Sequence, residues 1–414
     1  MTIKLFRSVH LVTPQDSGGP RTGSDQGKVA DWARGALLVR DGLVSAVGSE
    51  EDVLRQTRDV DVDQEISGEG RCMIPGFVDP HTHMCFARRR EKEFDMRLQG
   101  VPYLDILRAG GGILSSVKAV REASDEELFQ STLRQVASAL RFGTTTVEIK
   151  SGYGLDTASE LRMLQVVRRI SRETPLDVVP TFMGAHAVPG EYKDRPEDFV
   201  TLLVEEMLPA VQEQGIASFC DVFCEEGVFS VLQTRRILQA ARKHGLGLKV
   251  HADEVHDLGG AGVAAELGAI SAEHLLAARE EGLRAMAAAG TMAVLLPATA
   301  YSLRKPYAAG RKMIDMAVPV ALATDCNPGS CFSESMPFVF GLAVLNMHLT
   351  PEEALTGTTL NAAYAIGMAS RVGSLEVGKK ADFLLLDGES PAVLAYHAGV
   401  SSVEQVYKAG ERVA

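Results

Sequence analysis

Apolar positions along this chain follow two different periods, and a change of period predicts a change of architecture. Near the start, "GALLVRDGLVSAVGS" (35–49) sets two β-rich runs on either side of Asp41-Gly42, a pair that favours a tight turn, so a hairpin is expected. Near the end, "GSLEVGKKADFLLLD" and "VEQVYKAGERVA" again read as short strands with turns. Both ends therefore predict pieces of one small all-β unit. The polar, glycine-rich stretch "DSGGPRTGSDQGK" (16–28) predicts a mobile surface loop.

The middle of the chain alternates strand-like runs with helical patterns. Segments such as "DEELFQSTLRQVASALRFG" and "SVLQTRRILQAARKHG" carry the helical period and close on a glycine. Between such segments lie eight strand candidates: "CMIPGFVDPHTH", "TTTVEIKSGYG", "LDVVPTFMGAH", "SFCDVFCEE", "LGLKVHADE", "GAISAEHL", "MAVLLPATAYS" and "VPVALATDCNPG". Eight βα units in a row predict an α/β fold, a (β/α)8 TIM barrel, whose chemistry sits where strands end and loops begin. We place the barrel at 76–368 and the β-rich unit at 1–75 and 369–414.

Composition narrows the partners. A net charge of -12 argues against nucleic acid or an anionic membrane, both of which select a basic face. The N-terminus lacks the apolar core of a signal peptide, and the longest apolar run, 285–301, is interrupted by Gly290 and Pro297. Six cysteines without a CxxC pair read as reduced, buried thiols in the cytosol.

The polar residues at strand ends carry the candidate chemistry. His83, Lys150, His186, Glu226, His251, His274 and Asp325 all fall at or just past the C-terminal end of a predicted strand. Alternation along "MIPGFVDPHTH" turns His81 and His83 the same way. With His251 and Asp325 they would converge in the barrel mouth and could hold a hydrolytic metal, which lowers the pKa of its bound water to about 7. The arginines at 88–90 suit an anion beside it. Each residue alone could be an ordinary polar side chain at a strand end; four at matching barrel positions are far more specific.

"PGFVDPHTH", the histidines ending strands five and six, "TD" at strand eight and the closing "GSLEVGKKADFLLLD" resemble the amidohydrolase superfamily over the whole chain. Within it, "HTHMCFARRREKEF", "EIKSGYGLD", "GAHAVP", "HADE", "SAEHL" and "TDCNPGS" are similar to the imidazolonepropionase family, which opens the ring of 4-imidazolone-5-propanoate to N-formimidoyl-L-glutamate in histidine degradation. The resemblance implies a β-sandwich built from both chain ends and a homodimer. It implies metal ligation by His81, His83, His251 and Asp325, and substrate contacts from Arg90, Tyr153, His186, Glu254, Asn327, Gly329 and Ser330. Arg88 and Arg89 depart from the family pattern and read as solvated loop charges.

Glu254, His274 and Asp325 are the expected proton-handling and oxyanion-stabilising groups. Strand four ends "DVFCEEGVF" without the lysine that bridges two ions in binuclear relatives, so one ion per subunit is expected. The donors suit zinc, with iron as the alternative. Another cyclic-amide hydrolase or a deaminase of the superfamily is the nearest competing reading, and a non-catalytic scaffold a remote one. Arg90 with Tyr153 favours a substrate with an acid tail.

Overall fold

A computed structural model describes residues 2–101, 105 and 111–414. Five strands open the chain: β1 (Ile3–Pro14), β2 (Val29–Arg40), β3 (Leu43–Ser49), β4 (Gln64–Ser67) and β5 (Cys72–Pro75). Eight build the barrel: β6 (Phe77–Asp79), β7 (Thr144–Lys150), β8 (Asp177–Ala185), β9 (Phe219–Cys224), β10 (Gly247–Ala252), β11 (Ser271–His274), β12 (Met292–Leu295) and β13 (Val320–Leu322). Three close it: β14 (Phe383–Leu386), β15 (Val403–Lys408) and β16 (Glu411–Arg412).

The terminal strands form one sheet in the order β16-β15-β14-β5-β1-β2-β3, with β4 beside β1. β14 runs antiparallel to β5, pairing Leu384 with Ile74, so the two ends of the chain meet in mid-sheet. The expected hairpin joins β2 and β3. Asp41 (φ 49°) and Gly42 (φ 80°) supply the two left-handed residues that a tight hairpin turn requires. Phe6, Phe383 and Tyr407 pack ring against ring between strands from both termini.

The run 72–83, read from sequence as one strand, is two. Gly76 is where the chain leaves the terminal sheet for the barrel, and a Cβ there would lie 2.4 Å from Thr145 Oγ1. Its N–H still donates to Asp382 O (2.9 Å), whereas Phe77 N already donates to Gly143 O (3.0 Å).

Strands β6 to β13 lie side by side in chain order, every neighbour parallel. Their buried, near-continuous apolar runs are what strands covered on both faces require. At the mouth the ring closes just past β6 and β13: Asp325 N donates to His81 O (3.1 Å) and His83 N to Cys326 O (2.9 Å). Helices cover the outside, and their ends are coded locally. Ser124 with Glu127 and Ser230 with Gln233 form capping boxes at the starts of the helices Asp125–Arg141 and Val231–Lys243. The run 285–301 divides as expected into a helix end, a turn at Gly290 and β12, and Pro297 then opens another short helix.

The stretch 16–28 is not the free loop its composition suggests. It contains a single-turn helix, Gly23–Gly27, and the side chain of Gln26 is fully buried against β13. Asp16 pairs with Lys379 (2.8 Å), and Arg21 exchanges hydrogen bonds with Asn361. Polar composition was a poor guide because these polar groups are satisfied by protein rather than by water.

Candidate active site

The barrel's C-terminal mouth gathers the predicted ligands. His81 and His83 lie just past β6, held in register by the Thr82–Cys326 bridge, so alternation carries both rings inward. The ligand atoms of His81, His83 and His251 lie within 4.8 Å of one another. His83 Nε2 faces His251 Nε2 at 3.2 Å. Asp325 Oδ1 completes the group, 3.4 Å from His81 Nε2 and 3.7 Å from His83 Nε2. Its other oxygen accepts the Thr299 hydroxyl at 2.6 Å. His274 (φ 72°) and Asp325 (φ 53°) sit in the left-handed region without being glycine, the kind of backbone strain that concentrates at working sites.

Electrostatics fit this group to a cation. Burial, reinforced by neighbouring imidazoles, holds His83 and His251 well below the usual histidine pKa, so both are neutral donors at neutral pH. Burial would lower His81 too, but the Glu273 carboxylate and Asp325 outweigh it and raise the ring to about 9, so positive charge is favoured there. Against its own burial, Asp325 is held at about 2 by His81, His274 and Thr299 and remains an anion. Two neutral imidazole nitrogens pointing at one another beside a carboxylate are a poor arrangement by themselves, and a shared cation resolves it.

A layer of charge lies directly beneath, and the sequence reading missed most of it. Glu148 and Lys150 on β7, Asp221 on β9, Lys249 on β10 and Glu273 on β11 are all fully buried. Glu273 Oε2 lies 2.5 Å from His81 Nδ1, and Asp221 Oδ1 is 3.1 Å from His251 Nδ1. Each carboxylate thus meets the ring nitrogen that faces away from the cluster, which fixes the ring and leaves Nε2 for the ligand. The lysines hold those carboxylates. Lys150 Nζ is 2.8 Å from both Glu148 and Asp221 and 3.2 Å from Glu273, and Lys249 Nζ is 2.9 Å from Glu273.

Asp221, His251 and Glu273 also come close enough to ligate a metal, but the Lys150 ammonium already sits between the two carboxylates. A signal for this layer existed: charged residues spaced two apart in otherwise apolar strands, as in "VEIK" and "LKVHA", point to the same inner face.

Above the cluster opens a cavity of about 400 Å³ lined by, among others, His83, Arg90, Tyr153, His186, Glu254, His274 and Asn327. Tyr153 is buried with its ring 5.2 Å from that of His186, and burial raises its pKa, so the phenol stays a donor. His186 stacks on His83 (4.7 Å between centroids), donates Nδ1–H to Gly152 O (3.0 Å), and is held near 4 by burial, hence neutral. The loop bearing Tyr153 is fixed from below by Glu160, whose carboxylate accepts the N–H groups of Gly152, Gly154 and Leu155.

Glu254 stands 3.7 Å from His274 Nδ1, its carboxyl pKa raised by burial. The buried Glu225 holds that loop by accepting Val255 N (2.9 Å) and the His256 ring (2.9 Å). Glu226, placed at the same strand end by sequence, points to solvent.

Two predicted substrate groups are already engaged. Arg90 makes a bidentate pair with Glu93 (3.0 and 2.6 Å), leaving its other edge toward the cavity. Asn327 spends its side chain within its own turn, accepting Gly329 N and Ser330 N at 2.8 Å and donating to Asp325 O at 2.7 Å. Gly329 packs on Arg90, and a Cβ there would lie 2.4 Å from Nη1. Arg88 and Arg89 are exposed, the latter lying over the Phe332 ring.

Residues 72–413 match the amidohydrolase family. The chain is 64% identical over 413 residues to an imidazolonepropionase of Desulfotalea psychrophila, covering 100% of both chains. It is 62% identical to one of Syntrophobacter fumaroxidans, covering 99% of this chain and 96% of that one. In fold it is similar to a 5-methylcytosine deaminase from Klebsiella pneumoniae, with a TM-score of 0.74 at 16% identity, over 99% of this chain and 98% of that one. This chain belongs to the amidohydrolase family and, within it, to the imidazolonepropionases.

Proposed function

We infer that the chain is a metal-dependent hydrolase that cleaves the ring carbon–nitrogen bond of 4-imidazolone-5-propanoate to give N-formimidoyl-L-glutamate, a step of histidine degradation. The observation that carries this reading is one cavity in which a His81–His83–His251–Asp325 group lies at the floor and the Arg90 guanidinium lines the wall. Those four residues would hold one ion. When bound, it supplies Lewis acidity and an activated water.

The chain's own residues do the rest. Arg90, held flat by Glu93, offers a fork to the propionate carboxylate. Tyr153 and His186 wall the ring; the Tyr153 hydroxyl donates to it, while His186, its Nδ1–H already given to Gly152 O, offers Nε2 as an acceptor, and the turn of Asn327, Gly329 and Ser330 brings backbone close to the ligand. Glu254, whose carboxyl pKa burial raises above the usual carboxylate value, takes the water proton as the oxygen bonds to the ring carbonyl carbon. It returns that proton to the ring nitrogen as the carbon–nitrogen bond breaks. His274 stabilises the charge developing on the carbonyl oxygen, and Asp325 remains ionised.

Several finer points belong to the same proposal. The ion is zinc, from the three-imidazole, one-carboxylate donor set, rather than iron. The protein is a cytosolic homodimer, supported by family resemblance and by six buried cysteines without disulfides; among the described residues, no helix is long and apolar enough to cross a membrane. The units are 1–75 with 369–414, and 76–368, supported by the crossover at Gly76.

Freshly generated 4-imidazolone-5-propanoate, followed by mass spectrometry with metal-loaded and metal-stripped protein, tests the reading. Metal-dependent appearance of N-formimidoyl-L-glutamate is expected. Its absence from loaded, folded protein would move the substrate to another ring amide.

A further inference from the structure

Arg90 is not the lone cation in the cavity. Arg97, one helix turn and more along Glu91–Leu98, lines the same space. The Nε and Nη2 edge of Arg90 is matched by Glu93, so much of its charge is met inside the protein. Among the described residues no carboxylate lies within ion-pair distance of Arg97, which donates from Nη2 to Gly329 O at 2.9 Å.

A guanidinium has five N–H donors, so that bond leaves a second donor edge free. Gly329 separates the two side chains: its carbonyl accepts from Arg97, while Arg90 Nη1 packs where its Cβ would be. Burial and the like charge of Arg90 lower the pKa of Arg97, yet an arginine so placed stays protonated. Two guanidinium groups facing one internal carboxylate leave one positive charge unmatched. A single carboxylate on the ligand matches it.

We propose that Arg97 is a substrate-binding residue that, with Arg90 across Gly329, grips the carboxylate tail and so selects acid-tailed rings over neutral ones. This rests on reading the site as one for an imidazolone with a propionate arm. Glu93 forms its ion pair with Arg90, and its carboxylate also accepts Gly112 N–H and the Ser115 hydroxyl, both neutral donors, so one negative charge serves two guanidinium groups. An arginine pair only partly neutralised attracts an anion, whereas a fully paired one would repel desolvation without reward.

The test uses the zinc-loaded full chain and the stable ligands imidazole-4-propanoate and its carboxamide, measured by calorimetry, with turnover of 4-imidazolone-5-propanoate alongside. Arg97→Gln should weaken the acid ligand about 10- to 100-fold while the carboxamide changes less than about threefold. It should also raise KM on the acid substrate more than it lowers kcat, and Arg97→Lys should recover part of the loss. Equal losses on acid and carboxamide would reduce Arg97 to a brace for the Gly329 turn and overturn the proposal. So would unchanged acid binding, or a wild type that binds both ligands alike. Arg97-dependent binding of the acid ligand without turnover of the imidazolone would leave Arg97 assigned and sink the reaction instead.

Discussion

Two of the clusters in which lysines meet carboxylates do different things, one half-buried and one fully buried. At the bottom of the barrel, Asp177 opens β8 and meets Lys380 (2.6 Å) and Lys408 (2.6 Å), while Lys408 also meets Asp382. Two cations face two anions there, and the result joins the terminal sheet to the barrel. Beneath the mouth, Lys150 and Lys249 face three carboxylates, Glu148, Asp221 and Glu273. With Asp325 just above, the carboxylates outnumber the lysines by two, a surplus that the His81 ring meets only in part and that a divalent cation taking the place of that proton would neutralise. A balanced cluster is mortar. An unbalanced one, completed by neutral imidazoles, is a site waiting on a ligand's charge.

The sharpest way to break that comparison is to change the surplus directly. Asp325→Asn removes one anion and replaces the oxygen shared with His81 and His83, while the oxygen that remains can still accept from Thr299. Loss of several kcal/mol of transition-state stabilisation corresponds to a fall of about a thousandfold or more in kcat. Elemental analysis should show substoichiometric metal in the same preparation. Full metal content with normal turnover would mean that the negative surplus is not a cation site.

Glu273→Gln acts one layer down. It keeps the shape but withdraws the carboxylate that meets His81 Nδ1, Lys150 and Lys249. Losing such an outer partner costs about 10- to 100-fold in metal affinity, measurable by chelator competition. Affinity as in the wild type would show that the lower layer is mortar too.

Where the amino-acid sequence was legible, the code was local or periodic. The eight barrel strands and the capped helices follow from apolar runs, capping boxes and closing glycines, and the hairpin from Asp41-Gly42. His81, His83, His251 and Asp325 meet because strand ends in a barrel must converge. Glu273 and Asp221 were passed over because their partners come from other strands, so no motif contains both halves of a contact. Glu93 hid in the same way: three residues after Arg90 it looks like a solvated helix charge, yet it is the partner that orients the arginine. The split at Gly76 was invisible because two short strands of one apolar run belong to different sheets, and only Thr145 pressing on the glycine reveals it.

The bottom cluster gives the complementary experiment. Asp177→Asn should leave kcat and metal content unchanged and cost about 2–3 kcal/mol of stability at pH 7, between the values for exposed and fully buried pairs. Burial would raise the Asp177 carboxyl pKa, but Lys408 and Lys380 hold it below the usual value. Its contribution is therefore present above the unfolded pKa of about 3.9 and lost as pH falls through the lower folded value. Wild type and variant should differ by a constant amount at neutral pH and converge below about pH 4 in denaturant titrations. A gap that stayed open in acid would place the effect of Asp177 in packing rather than in charge.

The smallest expected effect concerns the seam of the barrel. Ala293 N donates to Pro319 O, so the peptide groups of Val320 face the other way, toward β6, where the described strands do not pair along β13. Gln26 fills that gap: Oε1 accepts Val320 N (3.1 Å) and Nε2 donates to Val320 O (3.0 Å), which also accepts from Asn361 (2.9 Å). Removing the side chain by Gln26→Ala leaves the carbonyl one partner but orphans a buried N–H, a cost of about 1–2 kcal/mol. The variant should unfold at lower denaturant, and protease should cut first within 16–28, with kcat as in the wild type. If stability and cleavage were unchanged, the segment would be the free loop that its glycines and polar residues suggest; a loss confined to stability would make it the lower clasp of a barrel whose upper clasp is the pairing of Asp325 and Cys326 with His81 and His83.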